Sequence, residues 1–174
     1  VAIVPIHWLI WQHNYKFALA YTPSPGHLWF LANIFIYVVL FAPLFFYLKR
    51  NESGKAVRAI TKLFSTPLGL LVVIGAFILE AVMLKPLPYE MYAMTWHGFF
   101  LGMLAFFFGF CFVLSGSVFW NMVLKYRWMF LLLAIGLFII RLVYFSMNTP
   151  VYLLVTESQC WIVSVFAFGY KYLN

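Results

Sequence analysis

The sequence predicts an all-α fold, a polytopic transmembrane helical bundle with about five full spans. Of its 174 residues, 66% are hydrophobic and only 9% are charged, and the mean hydropathy is +0.99. Soluble domains are about 45–50% apolar and about 25% charged. Apolar runs recur at the length of about 20 residues that a membrane helix needs, and basic residues collect between them. This pattern excludes a soluble globular domain, a disordered chain and a nucleic-acid-binding module.

The predicted spans follow one another closely along the chain. In order they are His27–Leu48, Thr66–Leu84, Thr95–Gly116, Trp128–Met147 and Val151–Tyr170. The opening segment Val1–Trp11 is too short to cross a bilayer, and the prolines and glycine of Tyr21–Gly26 predict a loop. Because the chain opens with valine inside an apolar run, we interpret residues 1–174 as a fragment of one integral-membrane domain.

Basic residues orient these spans. Alternating spans place eight of them on one side: Lys49, Arg50, Lys55, Arg58, Lys62, Lys125, Arg127 and Lys171. Only Lys16 and Lys85 fall on the other side. Cytoplasmic loops carry the excess of lysine and arginine, so the side with eight is predicted to be cytoplasmic.

Local patterns add detail to individual elements. Pro43 is expected to kink the first span or end its regular hydrogen bonding. The segment Lys55–Phe64 separates apolar from basic positions at helical spacing, which is typical of a short helix on the inner membrane surface. Gly98 and Gly102 form a G-x-x-x-G spacing in the third span, which we interpret as a site of close helix packing.

Ionisable residues inside a membrane are costly, so each is a candidate site residue. Glu80, Arg141 and Glu157 lie five or six residues from the outer ends of their spans. At 1.5 Å per residue this is a depth of roughly 8–10 Å, and His97 lies slightly nearer the surface. These four residues therefore predict a polar pocket that opens towards the outer face.

Two interpretations of these four residues remain open. In the functional one, His97 exchanges a proton, Arg141 holds an anionic group, and Glu80 or Glu157 accepts hydrogen bonds from sugar hydroxyls. In the structural one, Arg141 pairs with Glu80 or Glu157 and only neutralises a buried charge.

Other chemistries find little support in the sequence. The chain has four glutamates and no aspartate, so a Ser-His-Asp triad is excluded. Cys111 and Cys160 have no metal-binding spacing, and no nucleotide or zinc motif is present. We therefore expect neither a bound metal nor a bound cofactor.

Four short motifs resemble one known family. They are His27-Leu28-Trp29-Phe30-Leu31 followed by Tyr37, His97-Gly98-Phe99-Phe100 with Gly102 and Gly109, Phe119-Trp120 through Arg127-Trp128, and Glu157-Ser158-x-x-Trp161 ending in Gly169–Asn174. In order and spacing they are similar to segments of the type-three integral-membrane acyltransferases, which include glucan-modifying and O-antigen-acetylating bacterial proteins. Ile34 stands where many acetyl-transferring members carry glutamate, which favours the glucan-modifying branch.

The resemblance implies a multi-pass protein of the bacterial inner membrane. It implies transfer of an acyl group from an acyl-CoA donor to a hydroxyl of a glycan or a lipid-linked saccharide. The family's catalytic histidine belongs to a first span that this chain lacks, so no catalytic residue is assigned and the fragment is expected to be inactive alone. The alternative function is a transporter or flippase segment with a path lined by arginine and glutamate.

Overall fold

The computed structural model describes residues 28–84, 95–145 and 148–173, and within these ranges the chain is helical and contains no strand. The helices are α1 (Leu28–Arg50), α2 (Lys55–Leu63), α3 (Gly69–Leu84), α4 (Trp96–Ser115), α5 (Ser117–Lys125), α6 (Arg127–Ile140), which continues as a π-helical turn over Arg141–Phe145, and α7 (Val151–Leu173). Several predictions concern residues outside these ranges: the opening segment Val1–Trp11, the loop of residues 21–26, Lys16, His27 and Lys85.

Four of the described helical segments are long and apolar enough to cross a membrane: Trp29–Arg50, Trp96–Ser115, Arg127–Phe145 and Val151–Leu173. These correspond to four of the predicted spans. The other predicted span, Thr66–Leu84, is helical only from Gly69, and its 16 residues reach about 24 Å. That is shorter than the hydrocarbon core of about 30 Å, so the expected number of about five full spans is not confirmed.

The faces of these helices match a lipid environment. Large apolar side chains are exposed along α1 and α6, among them Phe35, Phe46, Leu132 and Val143. Without water to satisfy them, backbone groups in a bilayer must pair within their own segment, which helices achieve. The chain is therefore a multi-pass membrane protein built as a helical bundle.

Helix α1 approaches α4 where the glycine spacing predicted close packing. Tyr37 is only 2% exposed, and its hydroxyl donates a 2.6 Å hydrogen bond to the carbonyl of Phe99. A Cβ atom on Gly102 would lie 2.7 Å from that hydroxyl oxygen. Gly102 therefore makes room for the tyrosine ring between the two helices. Helix α1 is continuous through Pro43.

Two short helices cover the end of the bundle that the basic residues predict to be cytoplasmic. Helix α2 lies against α4 with Val57 buried, as the amphipathic spacing predicted. Helix α5 was not predicted, and it buries Phe119 completely. The rings of Phe112 and Phe119 stack at 4.3 Å, and Phe64 meets both edge-on. This aromatic layer packs against α3, α4 and α7 at the end of the bundle opposite to the candidate site.

Candidate functional site

Glu80 and His97 form a buried pair between α3 and α4. The side chain of Thr95 caps α4 by accepting a hydrogen bond from the Gly98 amide, and this places His97 in the first turn of the helix. There its Nδ1 lies 2.7 Å from Oε1 of Glu80, with both side chains 4% exposed. Burying two ionisable groups is costly, and the short hydrogen bond between Glu80 and His97 offsets part of that cost.

The hydrogen bond to Glu80 also determines which nitrogen of the His97 ring carries the proton. A carboxylate only accepts hydrogen bonds, so an ionised Glu80 makes Nδ1–H of His97 the donor. In the neutral ring the lone pair then resides on Nε2, the arrangement in which a carboxylate orients a histidine for proton transfer. Oε2 of Glu80 is buried and has no hydrogen-bond partner among the described residues.

Glu80 and His97 lie at one end of a cavity of about 380 Å³ between α3, α4 and α7. Ser158 and Gln159 of α7 contribute the other polar side chains of its lining. The rest is apolar: Val73, Phe77, Ala81, Leu101, Ala105, Phe108, Gly109, Phe112, Val151, Leu154, Val155, Ile162 and Phe166. Ligand pockets of membrane and soluble proteins share this character, an apolar chamber with a few convergent polar groups.

Arg141 and Glu157 form the second pair, between the end of α6 and α7. Nε of Arg141 donates to Oε2 of Glu157 at 2.7 Å, and Nη2 donates to Oε1 at 3.1 Å. Glu157 is 6% exposed and Arg141 26% exposed by side chain. Two parallel bonds from a guanidinium to a carboxylate are the strongest form of this interaction.

The backbone is irregular where this pair forms. Arg141 begins the π-helical turn that ends at Phe145, and its guanidinium carbon lies 5.0 Å from the ring centroid of Phe138. Single π-helical turns inside α-helices are frequent at functional sites because the extra residue redirects side chains. Here the turn and the aromatic ring hold the arginine against Glu157.

The structure thus joins the four predicted residues as two pairs, each between helices that are neighbours in sequence. Glu80 and His97 line the cavity, whereas Arg141 and Glu157 do not belong to its lining. Arg141 takes the pairing with Glu157 that the structural interpretation allowed. The four residues therefore make their contacts within two helix hairpins rather than as one shared set of contacts.

Sequence reasoning did not identify Gln159, nor assign a role to Ser158. Polar side chains within a membrane span are costly, so the consecutive residues Glu157, Ser158 and Gln159 were the available signal. Whether each faces a cavity, a partner helix or lipid depends on the rotation of α7 about its axis. A helix places consecutive residues about 100° apart, and the structure accordingly divides them between the cavity and Arg141.

Three residues of the family motifs, His97, Gly109 and Ser158, line the cavity, whereas the two motif tryptophans Trp29 and Trp161 lie apart from it. Trp29 is partly buried on α1 and meets Phe30 edge-on at 6.1 Å. Trp161 is partly buried on α7, and neither tryptophan lines the cavity. His27 lies outside the described residues. Among the described residues no group of three or more histidine, cysteine or acidic side chains is arranged to hold a metal.

Comparison with known proteins does not extend these observations. No protein-family model matches the chain, and no curated protein or solved structure matches it either.

Proposed function

We propose that this chain is part of a membrane-embedded O-acyltransferase of the bacterial inner membrane. It transfers an acyl group from an acyl-CoA donor to a hydroxyl of a glycan or lipid-linked saccharide, in the manner of the type-three acyltransferases whose motifs it resembles. Its place in the cell is polysaccharide modification in the envelope, with glucan synthesis as the favoured context. The cavity end formed by Glu80 and His97 binds the acceptor hydroxyl.

The single observation that carries this proposal is the buried Glu80–His97 pair at the end of a ligand-sized cavity. A hydroxyl that attacks a thioester must be held and must lose its proton. Glu80, with a carboxylate oxygen that has no partner among the described residues, provides an acceptor for such a hydroxyl, and the same carboxylate orients the imidazole of His97 beside it. Ser158 and Gln159 add hydrogen-bonding groups from the facing helix.

The sign of the local charge supports a neutral acceptor rather than an anionic one. His97 is already engaged by the carboxylate of Glu80, so among the described residues the cavity end offers no free positive charge to a phosphate or carboxylate. Arg141, which would attract an anion, is engaged by both oxygens of Glu157. A sugar hydroxyl, which both donates and accepts, fits this end of the cavity better than an acidic group.

The alternative function is a transporter or flippase segment, and one observation favours it. Broken helices near buried charge are typical of transport proteins, and the π-helical turn at Arg141 interrupts α6 beside Glu157. The two functions differ in their product. A transporter moves its substrate unchanged, whereas an acyltransferase increases the mass of the acceptor by the acyl group.

The test uses the full-length protein in its native membranes, supplied with labelled acyl-CoA and an envelope glycan extract. We expect Glu80→Gln to raise the KM for the acceptor about tenfold or more with a smaller change in kcat. The reason is that a hydrogen bond to an ionised group contributes about 1.5–3 kcal/mol. The amide keeps the size of Glu80 and can still accept from His97, so the fold is preserved.

Glu52→Gln provides the matched control. Glu52 is exposed and meets only Lys49 at 3.5 Å, so the same chemical change there should leave both kinetic constants unchanged. Absence of acyl transfer by the wild-type protein would contradict the proposal. An unaltered acceptor KM in Glu80→Gln would remove the assignment of Glu80 and His97 to the acceptor site.

A further inference from the structure

We propose that the cavity between α3, α4 and α7 binds a lipid-linked acceptor with a single hydrocarbon chain. The head hydroxyl donates a hydrogen bond to Oε2 of Glu80, and the chain lies inside the bundle. This inference rests on the proposed function for the reaction that follows binding, and it narrows the acceptor from any glycan to an amphiphile.

Glu80 lines the polar end of the cavity, and its carboxylate lacks one hydrogen-bond donor within the described part of the chain. Oε2 of Glu80 is buried and unpaired among the described residues, while Oε1 is held by His97. Leaving a buried carboxylate oxygen unpaired is costly, and a ligand hydroxyl that donates to it removes that cost. An ester or thioester carbonyl cannot do so because it has no hydrogen to donate. The group at this end is therefore a hydrogen-bond donor, and the hydroxyl of the acyl acceptor is the donor that the proposed function supplies.

The body of the cavity suits a hydrocarbon chain. From His97 to Phe112 its lining extends over about 22 Å of α4, which exceeds the thickness of one leaflet, about 15 Å. Beyond Glu80, His97, Ser158 and Gln159 the lining is apolar. A free oligosaccharide would leave its hydroxyls without partners along most of this length.

The volume of the cavity distinguishes one chain from two. A methylene group is comparable in size to a water molecule, whose share of liquid volume is about 30 Å³. The cavity of about 380 Å³ thus holds about a dozen such groups. This corresponds to one hydrocarbon chain, whereas the two tails of an ordinary phospholipid contain many more such groups.

Selectivity must come from the head of the ligand. Lipid tails are as apolar as the helix side chains, so moving a chain from the bilayer into the cavity yields little free energy. The hydrogen bond to Glu80 is formed only in the cavity. The site therefore distinguishes a lipid that bears a hydroxyl at this depth from the bulk phospholipids around it.

The experiment maps the chain by photo-crosslinking in native membranes without acyl donor. The probe is a dodecyl glucoside that carries a photoreactive group at the end of its chain. We expect labelled peptides from α4 and α7 at cavity-lining residues, and about tenfold less labelling in Glu80→Gln, as the loss of a charge-assisted hydrogen bond implies. Excess unlabelled dodecyl glucoside should compete, whereas dodecane should not.

Two glycines supply a matched pair of variants. A Cβ atom at Gly109 meets nothing within 4 Å, and Gly109 lines the cavity, so Gly109→Leu fills that space without striking the backbone. Gly75 is equally open but is exposed on α3 outside the lining. We expect labelling to fall about tenfold in Gly109→Leu, through overpacking of the bound chain, and to stay unchanged in Gly75→Leu.

The results of these experiments test the lipid site and the acyltransferase function separately. Equal labelling in the two glycine variants, or labels confined to lipid-facing residues such as Leu79 and Val82, would overturn the lipid site. Glu80→Gln keeps the shape of the bundle and so tests the site even if Gly109→Leu does not fold. Because the assay contains no donor, labelling as expected together with no acyl transfer by the wild type would refute the acyltransferase alone.

Discussion

Replacing Gly102 with alanine tests the contact that joins α1 to α4. The new Cβ atom would lie 2.7 Å from the hydroxyl oxygen of Tyr37 and 3.3 Å from its ring. The ring cannot move aside easily, because its hydroxyl is bonded to the Phe99 carbonyl and its faces meet Phe99 and Phe106. The two helices must therefore separate or the hydrogen bond must break.

The expected cost follows from these two responses. Overpacking of a close contact costs about 1–3 kcal/mol, and loss of the tyrosine hydrogen bond costs about 0.5–1.5 kcal/mol. We therefore expect Gly102→Ala to lower the free energy of unfolding by about 2 kcal/mol. In a Tyr37→Phe background the hydroxyl is gone and the nearest atom is the ring at 3.3 Å, so the same substitution should cost less than about 1 kcal/mol.

The buried thiols of Cys111 and Cys160 provide the assay, since a thiol-reactive dye reports their exposure as the protein unfolds in mild detergent. Gly109→Ala is the control, because its Cβ meets nothing within 4 Å. The reasoning is refuted if Gly102→Ala is no more destabilising than this control. It is also refuted if the cost of Gly102→Ala is the same with Tyr37 as with phenylalanine at position 37.

Three further predictions concern the Arg141–Glu157 pair, the membrane topology and the start of α3. Arg141→Ala or Glu157→Ala should lower the free energy of unfolding by about 3 kcal/mol, because each leaves the partner charge buried and unpaired. Both variants should lose acylation while still inserting into the membrane. Wild-type acylation in both variants would show that the pair only balances charge. Cysteines placed at Ser53 and Tyr89 should react with an impermeant reagent from the cytoplasmic and outer sides respectively, and the reverse pattern would overturn the orientation. Gly69→Ala should reduce the melting temperature measurably, because its Cβ would collide with the Leu63 carbonyl, and an unchanged value would show that α3 begins elsewhere.

The sequence predicted the spans because the bilayer imposes a single physical requirement on each of them. A run of about 20 apolar residues that crosses the bilayer must form a helix, and the polar residues on either side indicate where the helix begins and ends. The predicted bounds of the third span, for example, agree with α4 to within one residue at each end. The exception is α3, where Pro67 delays the helix to Gly69.

For the candidate site the sequence leads to an expected depth for each residue, but it does not predict which residues pair. Counting residues from span ends placed Glu80, His97, Arg141 and Glu157 at similar levels, since the rise per residue is constant. Which side chains meet depends on the rotation and adjacency of helices, and those depend on packing across the bundle. A pocket was predicted from the four ionisable residues, but its apolar body was not, because Gly109 borders open space whereas Gly102, on the same helix, packs against Tyr37.

The arrangement of the two charge pairs has a consequence for biogenesis. Glu80 and His97 are separated by 17 positions and Arg141 and Glu157 by 16, so each pair closes within one helical hairpin. A lone arginine or acidic residue at the centre of an inserting helix costs about 2.5–3.5 kcal/mol on translocon scales. A hairpin released as a unit carries the partner of its buried group with it. The hairpin of α6 and α7 therefore enters the lipid with its two charges already paired, and the hairpin of α3 and α4 brings Glu80 in with its hydrogen-bond donor, before any distant helix has arrived.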